Sequence, residues 1–561
     1  MNSVETITPK RQKEKLMTQH DYSQYFPHSI VRAQQDQALQ FTLDAFLMNG
    51  KRFVILELGT GCGKSAIGVT AARYMNANVP KDEAFLPGAY TLTTQKVLQK
   101  QYMNDFGPPK GGMLSIQSAT NFQCNFYPKN NCAESINLLR GEKKGTPFWS
   151  QCVFNCCYKE AKKAFIASPE SITNFSYFLA ETMYGKQLKP RQLLVIDECH
   201  NIESELGKFV EVTIHEKFTK ETLKVDWPAV TTQAGIIKWI RGMYLPRLEA
   251  HIIHLDTLIE ARRGLKEKLD ELIGFAKMYD MLDKHICKIN RFIGMYDDGG
   301  EDNWVMNYNE AKGRSLRNVE FKPVDVAPYS EELLFRFGQK VIMMSATIID
   351  KDVFCRSVGI PMDQVEFLSI DSPFPIENRP ILYYPAGSMS KENIDKTLPN
   401  LVNMIEALLE EHKKEKGIIH CHTYKIADYI KNNIKSSRLL LHNSSNREEI
   451  VKKHFESTKP TVLLSPSLSE GIDLKDDLSR WQVICKIPYP YLGDKIVRKR
   501  MHKDRDWYPF QTAKIIIQSI GRSVRSDTDQ AVTYILDENW QIFFNKYGNM
   551  FPESFKKALK T

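Results

Sequence analysis

Between a short apolar run, Phe53-Val54-Ile55-Leu56, and a helix-compatible stretch, Ala66-Ile67-Gly68-Val69-Thr70-Ala71-Ala72, stands Glu57-Leu58-Gly59-Thr60-Gly61-Cys62-Gly63-Lys64-Ser65. Strand, glycine-rich turn and helix in that order is the context of a phosphate-binding loop. The three glycines let the backbone turn its N–H groups inward around an anion, and the helix that follows adds its positive end. Gly59, Thr60, Gly61, Cys62, Gly63, Lys64 and Ser65 are therefore candidates for holding ATP. The Lys64 ammonium reaches the β- and γ-phosphates, and the Ser65 hydroxyl ligates Mg²⁺. Leu58 stands where the strict pattern has a glycine. A loop of this kind commits the surrounding chain to an α/β domain with a parallel sheet.

At 561 residues the chain exceeds what one hydrophobic core supports, and three or four domains are expected. No apolar run approaches the roughly 20 residues of a membrane span. Met1 to Gln19 is polar and is not read as a secretory signal, so a cytoplasmic protein without a membrane partner is expected. The net charge of +9 permits a polyanionic partner without demanding one.

Upstream of the loop, Phe26 to Phe46 reads as a helix, with Arg32 and Gln35 near its start as further candidates for the nucleotide. A glutamine there can pair with the N6 and N7 edge of adenine. Ala89-Tyr90-Thr91-Leu92-Thr93-Thr94 reads as the next strand. Leu193-Leu194-Val195-Ile196 reads as a buried strand that delivers Asp197-Glu198-Cys199-His200 to a sheet edge. Asp197 is placed to partner Mg²⁺, and Glu198 to orient and deprotonate the attacking water. A third buried strand, Val341-Ile342-Met343-Met344, ends in Ser345-Ala346-Thr347, and the first core is expected to close near Asp350.

A second α/β unit follows, with strands at Gly417–His420, Thr461–Leu464 and Trp481–Ile484. His420, Cys421 and His422 are not read as a metal tract, because neighbours on a strand point to opposite faces. Two further segments stand out, Glu470-Gly471-Ile472-Asp473 and Gln518-Ser519-Ile520-Gly521-Arg522-Ser523-Val524-Arg525. On a helix Arg522 and Arg525 share one face and can clamp a transferring phosphoryl group. Neither α/β half holds a whole site, so ATP is expected between them, drawing them together until hydrolysis releases them.

Two stretches break the α/β alternation. From 202 to 320 apolar residues recur at Leu255, Leu258, Leu265, Leu269, Leu272, Phe275, Met278 and Leu282, the spacing of an amphipathic helical hairpin. From 106 to 167 lie five cysteines, Cys124, Cys132, Cys152, Cys156 and Cys157. Four thiolates suit a 4Fe–4S cluster; zinc also accepts four, but zinc ribbons pair two close CxxC knuckles that this stretch lacks. Tyr158, Lys159, Lys162 and Lys163 just beyond are candidates to meet DNA.

The Asp-Glu-Cys-His box, Ser-Ala-Thr, Glu-Gly-Ile-Asp and Gln-x-x-Gly-Arg-x-x-Arg, in this order, resemble superfamily 2 helicases. With the cysteine cluster between the phosphate loop and the acidic box, the chain resembles the XPD/DinG branch of iron–sulfur helicases. That resemblance implies two RecA-like motor domains, parallel sheets with flanking helices, carrying an inserted iron–sulfur domain and a mostly helical arch domain. The first motor domain is expected in three pieces, 1–105, 168–201 and 321–350, the iron–sulfur domain at 106–167, the arch at 202–320 and the second motor at 351–561. It implies Glu198, Gln518, Arg522 and Arg525 in catalysis, Asp473 at the ATP site, and Cys124, Cys132, Cys152 and Cys156 on the cluster. It also implies a monomer that hydrolyses ATP, translocates 5′→3′ on single-stranded DNA and unwinds forked duplex DNA. The residues leave open an RNA or RNA–DNA hybrid substrate, and a nucleotide-regulated DNA-binding ATPase that does not unwind.

Overall fold

Consecutive apolar residues with no polar alternation produce strands buried on both faces, and the three such runs of the first half all do so. The computed structural model describes residues 20–80, 82–311, 316–443, 445–466 and 474–560. In chain order its strands are β1 Phe53–Leu58, β2 Leu86–Thr93, β3 Leu114–Ser115, β4 Glu170–Asn174, β5 Arg191–Asp197, β6 Val212–His215, β7 Trp304–Asn309, β8 Asn318–Pro323, β9 Gly338–Ser345 and β10 Val365–Ile370. The second half adds β11 Ile381–Gly387, β12 Gly417–His420, β13 Leu439–Leu441, β14 Val462–Ser465, β15 Trp481–Ile484, β16 Val532–Asp537 and β17 Leu559–Lys560.

They form two seven-stranded parallel sheets, ordered β10-β1-β9-β5-β2-β4-β3 and β13-β14-β12-β15-β16-β11-β17, and a three-stranded antiparallel sheet, β6-β8-β7. Side chains alternate across each parallel sheet. On β1, Phe53 and Ile55 join one core and Val54, Leu56 and Leu58 the other. On β15 and just beyond it, Trp481, Val483 and Cys485 face one core and Ile484 and Ile487 the opposite one. Two parallel sheets with helices on both faces are the expected pair of RecA-like domains.

The expected helical hairpin is present as helices Leu245–Glu260 and Leu269–Met295. Two boundaries move. The first core does not close at Asp350: helix Lys351–Val358 packs into it, and β10 pairs in parallel with β1 from Phe53↔Val365 to Leu58↔Ile370. Without β10, β1 would be an exposed sheet edge. The chain crosses to the second domain between Ile370 and Ile381, not near 350. In the other correction, β3 pairs with β4, so the first sheet extends past 106 before the cysteine-bearing segment begins.

One carboxylate joins three pieces of this sheet. Glu57, buried near the end of β1, accepts the N–H groups of Ile348 at 2.7 Å and Ile349 at 2.6 Å, and the Ser369 hydroxyl at 2.8 Å. Glu57→Ala is expected to destabilise the first domain by about 3 kcal/mol, because it strands two buried N–H groups and a hydroxyl. Glu57→Gln, which keeps one acceptor oxygen, should lose about half as much. Urea unfolding followed by far-UV circular dichroism reads the difference.

Candidate active site

The phosphate loop follows β1 directly, and the helix it opens is Lys64–Asn78. Its conformation requires glycine at two points. Gly61 has φ +92°, and a Cβ there would lie 2.3 Å from the Phe374 ring; Gly63 has φ +74°, and a Cβ would lie 2.3 Å from Gln35 Nε2. The loop is braced from outside. The Arg32 guanidinium donates to Gly61 O at 2.6 Å, and Gln35 Nε2 donates to Gly63 O at 3.3 Å while its Oε1 accepts the Arg32 N–H at 3.0 Å. Ser372 Oγ donates to Thr60 O at 2.7 Å. Arg32 and Gln35, expected at the nucleotide, thus hold the loop's carbonyls. Lys64 Nζ turns back to Leu58 O at 3.4 Å, across the concave side of the loop.

Asp197 ends β5, buried, with Oδ2 accepting the Tyr102 hydroxyl at 3.0 Å and Oδ1 accepting the Glu198 N–H at 3.0 Å. Burial, followed by the Glu198 charge, pushes the Asp197 carboxyl up to about 6. Glu198 behaves oppositely. Burial would raise it, but Lys64, His200, Arg522 and Arg525 together hold it below the usual carboxylate range. It is therefore an anion throughout the neutral range, in the left-handed conformation at φ +53° that turns the chain out of the strand. His200 stands 3.3 Å from Glu198 Oε2, and its Nδ1 pairs with Ser345 Oγ at 2.7 Å. Burial pushes the imidazole down to about 4, so it is neutral at pH 7. The Ser-Ala-Thr triplet is thereby wired to the acidic box on one side. On the other, Gln518 Nε2 donates to Thr347 Oγ1 at 3.3 Å.

Lys64, Ser65, Asp197 and Glu198 from the first domain and Gln518, Arg522 and Arg525 from the second line one cleft of about 710 Å³. Arg522 and Arg525 do not share a helical face as expected. Helix Trp507–Ile520 stops at Gly521, and both arginines reach the cleft from the turn beyond it. Asp473 and the rest of Glu470-Gly471-Ile472-Asp473 lie outside the described residues.

A family model described as "Helicase C-terminal domain" matches residues 405–558, and one described as "Type III restriction enzyme, res subunit" matches 28–225. The ATP-dependent DNA helicase DinG of Photobacterium profundum is 29% identical over 280 residues, covering 46% of this chain and 40% of that protein. The ATP-dependent DNA helicase YoaA of Haemophilus influenzae is 24% identical over 464 residues, covering 74% and 70%. Among solved structures, an XPD helicase superposes with a TM-score of 0.62 at 14% identity, over 93% of this chain and 98% of that one. S. tokodaii Xpd4 gives 0.57 at 16%, over 94% and 99%. The helicase relatives, the helicase C-terminal family model and the fold together support reading this chain as an XPD/DinG-like superfamily 2 helicase. Its match spans less than half the length of the DinG relative. At such low identity the structural likeness carries the fold alone.

In this XPD/DinG-like chain the five clustered cysteines converge. Cys124, Cys132, Cys152, Cys156 and Cys157 line one small cavity. Cys157, not among the four expected ligands, has its sulfur 3.5 Å from Cys132 Sγ and donates to Gln123 O at 3.3 Å. Among the described residues no group of three or more His, Cys, Asp or Glu side chains is arranged to hold a metal ion. Two neighbours expected to meet DNA turn inward instead. Tyr158 is buried with its hydroxyl 3.1 Å from that of Tyr177, and Lys162 pairs with Glu181 at 2.6 Å. Lys163 remains exposed. No helix among the described residues is long and apolar enough to cross a membrane.

Three side chains at the cleft have no distinctive sequence signal: Tyr102, Glu57 and Arg379. Tyr102 sits in an ordinary helical pattern, Glu57 precedes the phosphate loop without belonging to it, and Arg379 stands outside every motif. Because Gln35 positions the loop through Gly63 O, Gln35→Ala is expected to raise the KM for ATP about fivefold, the equivalent of one neutral hydrogen bond of about 1 kcal/mol. Turnover at saturation should stay within twofold, measured by steady-state ATPase kinetics.

Proposed function

We propose that this chain is an ATP-driven DNA motor, hydrolysing ATP between its two domains, moving 5′→3′ on single-stranded DNA and unwinding forked duplex. The observation that carries it is the single cleft in which a phosphate loop and acidic pair face a glutamine and two arginines from the other domain. Lys64 and the loop N–H groups bind the β- and γ-phosphates. Ser65 and Asp197 would hold Mg²⁺, and the donor set fits: hard oxygens lining one cleft. When bound, Mg²⁺ neutralises phosphate charge. Glu198, kept ionised by the surrounding cations, takes the proton of the attacking water. Arg522 and Arg525 stabilise charge on the transferring phosphoryl group, and Gln518 ties that movement to Thr347. Hydrolysis removes the anion that holds the halves together, so the cleft opens.

What favours a 4Fe–4S cluster is that five thiols line one small cavity, although they are not set as a metal-ligand group in this structure. Cys124, Cys132, Cys152 and Cys156 are assigned to it through the family resemblance. The cluster would pin a small unit that cannot bury enough core by itself.

Glu198→Gln is expected to bind ATP with near-parental affinity and to hydrolyse it at least a hundredfold more slowly; Lys64→Ala should lose both. Filter-binding and single-turnover assays separate the two. Strand displacement on duplexes with 5′ or 3′ tails, run with DNA and RNA loading strands, tests polarity and substrate. Displacement from a 3′ tail alone, or RNA-only stimulation, overturns the assignment. For the cluster, Cys156→Ser should lose iron and visible absorbance, whereas Cys157→Ser should keep both; the reverse result moves the ligand by one position.

A further inference from the structure

Arg379 lies in the crossover between the two domains, two residues before β11, and belongs to none of the recognised motifs. Its side chain lines the same cleft as Lys64, Ser65 and Arg525. Its surroundings are unusual for a guanidinium. Nε is buried and has no hydrogen-bond partner. Nη2 lies 3.5 Å from Phe374 O, a long contact, and no carboxylate among the described residues forms an ion pair with the group. A half-buried guanidinium with no ion-pair partner is costly, and its planar fork of donors suits an oxyanion. Burial accordingly pushes its pKa below the ordinary value, with only Asp371 acting in the other direction.

The backbone fixes where the fork stands. Ala531 N–H donates to Asn378 O and Thr533 N–H to Pro380 O, both at 2.9 Å, so residues 378–380 run as an extension of β11 beside the start of β16. Asn378 Nδ2 also donates to Asp527 O at 2.9 Å. The segment bearing Arg379 is thus sewn to the loop that presents Arg522 and Arg525. Just upstream, the Phe374 ring contacts Gly61 of the phosphate loop and packs with Val524 and Ala531. Arg379 is the cation at the junction of all three.

We propose that Arg379 is a third guanidinium of the nucleotide site, binding the non-transferred α- and β-phosphates, a contact shared by ATP and ADP. This rests on the ATP cleft assigned above. The division of labour follows from placement: Lys64, Arg522 and Arg525 are the cations that act on Glu198, where the γ-phosphate reacts, and Arg379 is not among them. Its role is to retain nucleotide, not to accelerate transfer.

The test uses the full chain with Arg379→Ala and Arg379→Lys, alongside Lys64→Ala. The Kd for ADP and the KM for ATP should each rise about tenfold in Arg379→Ala, the loss of one charge-assisted contact, with kcat within threefold of the parent. Arg379→Lys should recover part of the affinity. Inhibition by inorganic pyrophosphate should weaken in step with ADP, whereas inhibition by adenosine should be unchanged. Unaltered ADP affinity in an Arg379→Ala protein of parental melting temperature overturns the proposal, and so does a loss confined to adenosine, which would make Arg379 a base contact. A fall in kcat at unchanged KM would make it a transition-state group instead. Should Arg379→Ala fail to fold, the Lys variant decides, since parental ADP and pyrophosphate affinity together with reduced kcat overturns it equally. If Lys64→Ala keeps parental ADP affinity and turnover, the cleft assignment itself falls; if it fails as expected and Arg379→Ala does not, only the role of Arg379 falls.

Discussion

The Glu57 carboxylate is the fixed point of the motor cleft. It sits near the end of β1, just before the phosphate loop, and its three acceptor contacts reach the segment after Ser-Ala-Thr and the strand that leads to the other domain. One of the N–H groups it holds belongs to Ile349, which has φ +68°. A β-branched residue in the left-handed region costs on the order of 1–3 kcal/mol and persists only where its surroundings over-determine it. Here two charge-assisted hydrogen bonds to one buried oxygen offset that strain. Ile349 also packs against the cores of both domains, so the strained residue stands where they meet.

From that point the nucleotide site is physically continuous with the domain crossover. Thr60 O accepts Ser372 Oγ, Asp371 O lies 3.6 Å from Cys62 Sγ, and the Gly61 backbone lies against Phe374. A phosphate loop that shifts on binding an anion therefore pushes directly on the linker, and the linker is hydrogen-bonded to the arginine loop. Coupling between the halves needs no long path, because the same short segment touches both sides of the cleft.

Much of this cleft is legible in the amino-acid sequence alone. The three strands carrying the phosphate loop, the acidic pair and Ser-Ala-Thr are continuous apolar runs, and the motifs fall at their ends, where parallel sheets bind ligands. β10 is not legible: Val365–Ile370 is an edge strand partly exposed along most of its length, and its pattern does not rise above that of a loop. Arg522 and Arg525 read as helical from their spacing of three, but Gly521 ends the helix just before them. Tyr158 and Lys162 read as surface groups because aromatic and basic residues interleave there. Their inward partners, Tyr177 and Glu181, are distant in sequence and give no local sign. Arg379 is silent for a related reason, since an isolated arginine acquires meaning only from the acceptors it lacks.

The second domain meets the first through two contacts of opposite character, and this decides how the cleft can move. Helix Trp507–Ile520 begins inside the first domain's core, where Trp507 and Phe510 are buried. Beside them the buried Arg500 pairs with Glu203 at 3.1 Å and Asp325 at 3.0 Å. Breaking one arm of such a buried network leaves an uncompensated charge, so this contact resists separation. The other end of the same helix carries Gln518, and the arginine loop beyond it faces the polar cleft, where an anion and water can exchange. On the proposed cycle, opening on loss of phosphate is therefore most easily a rotation about the Trp507 end, with the largest displacement at Arg522 and Arg525, the groups proposed to contact the phosphoryl anion.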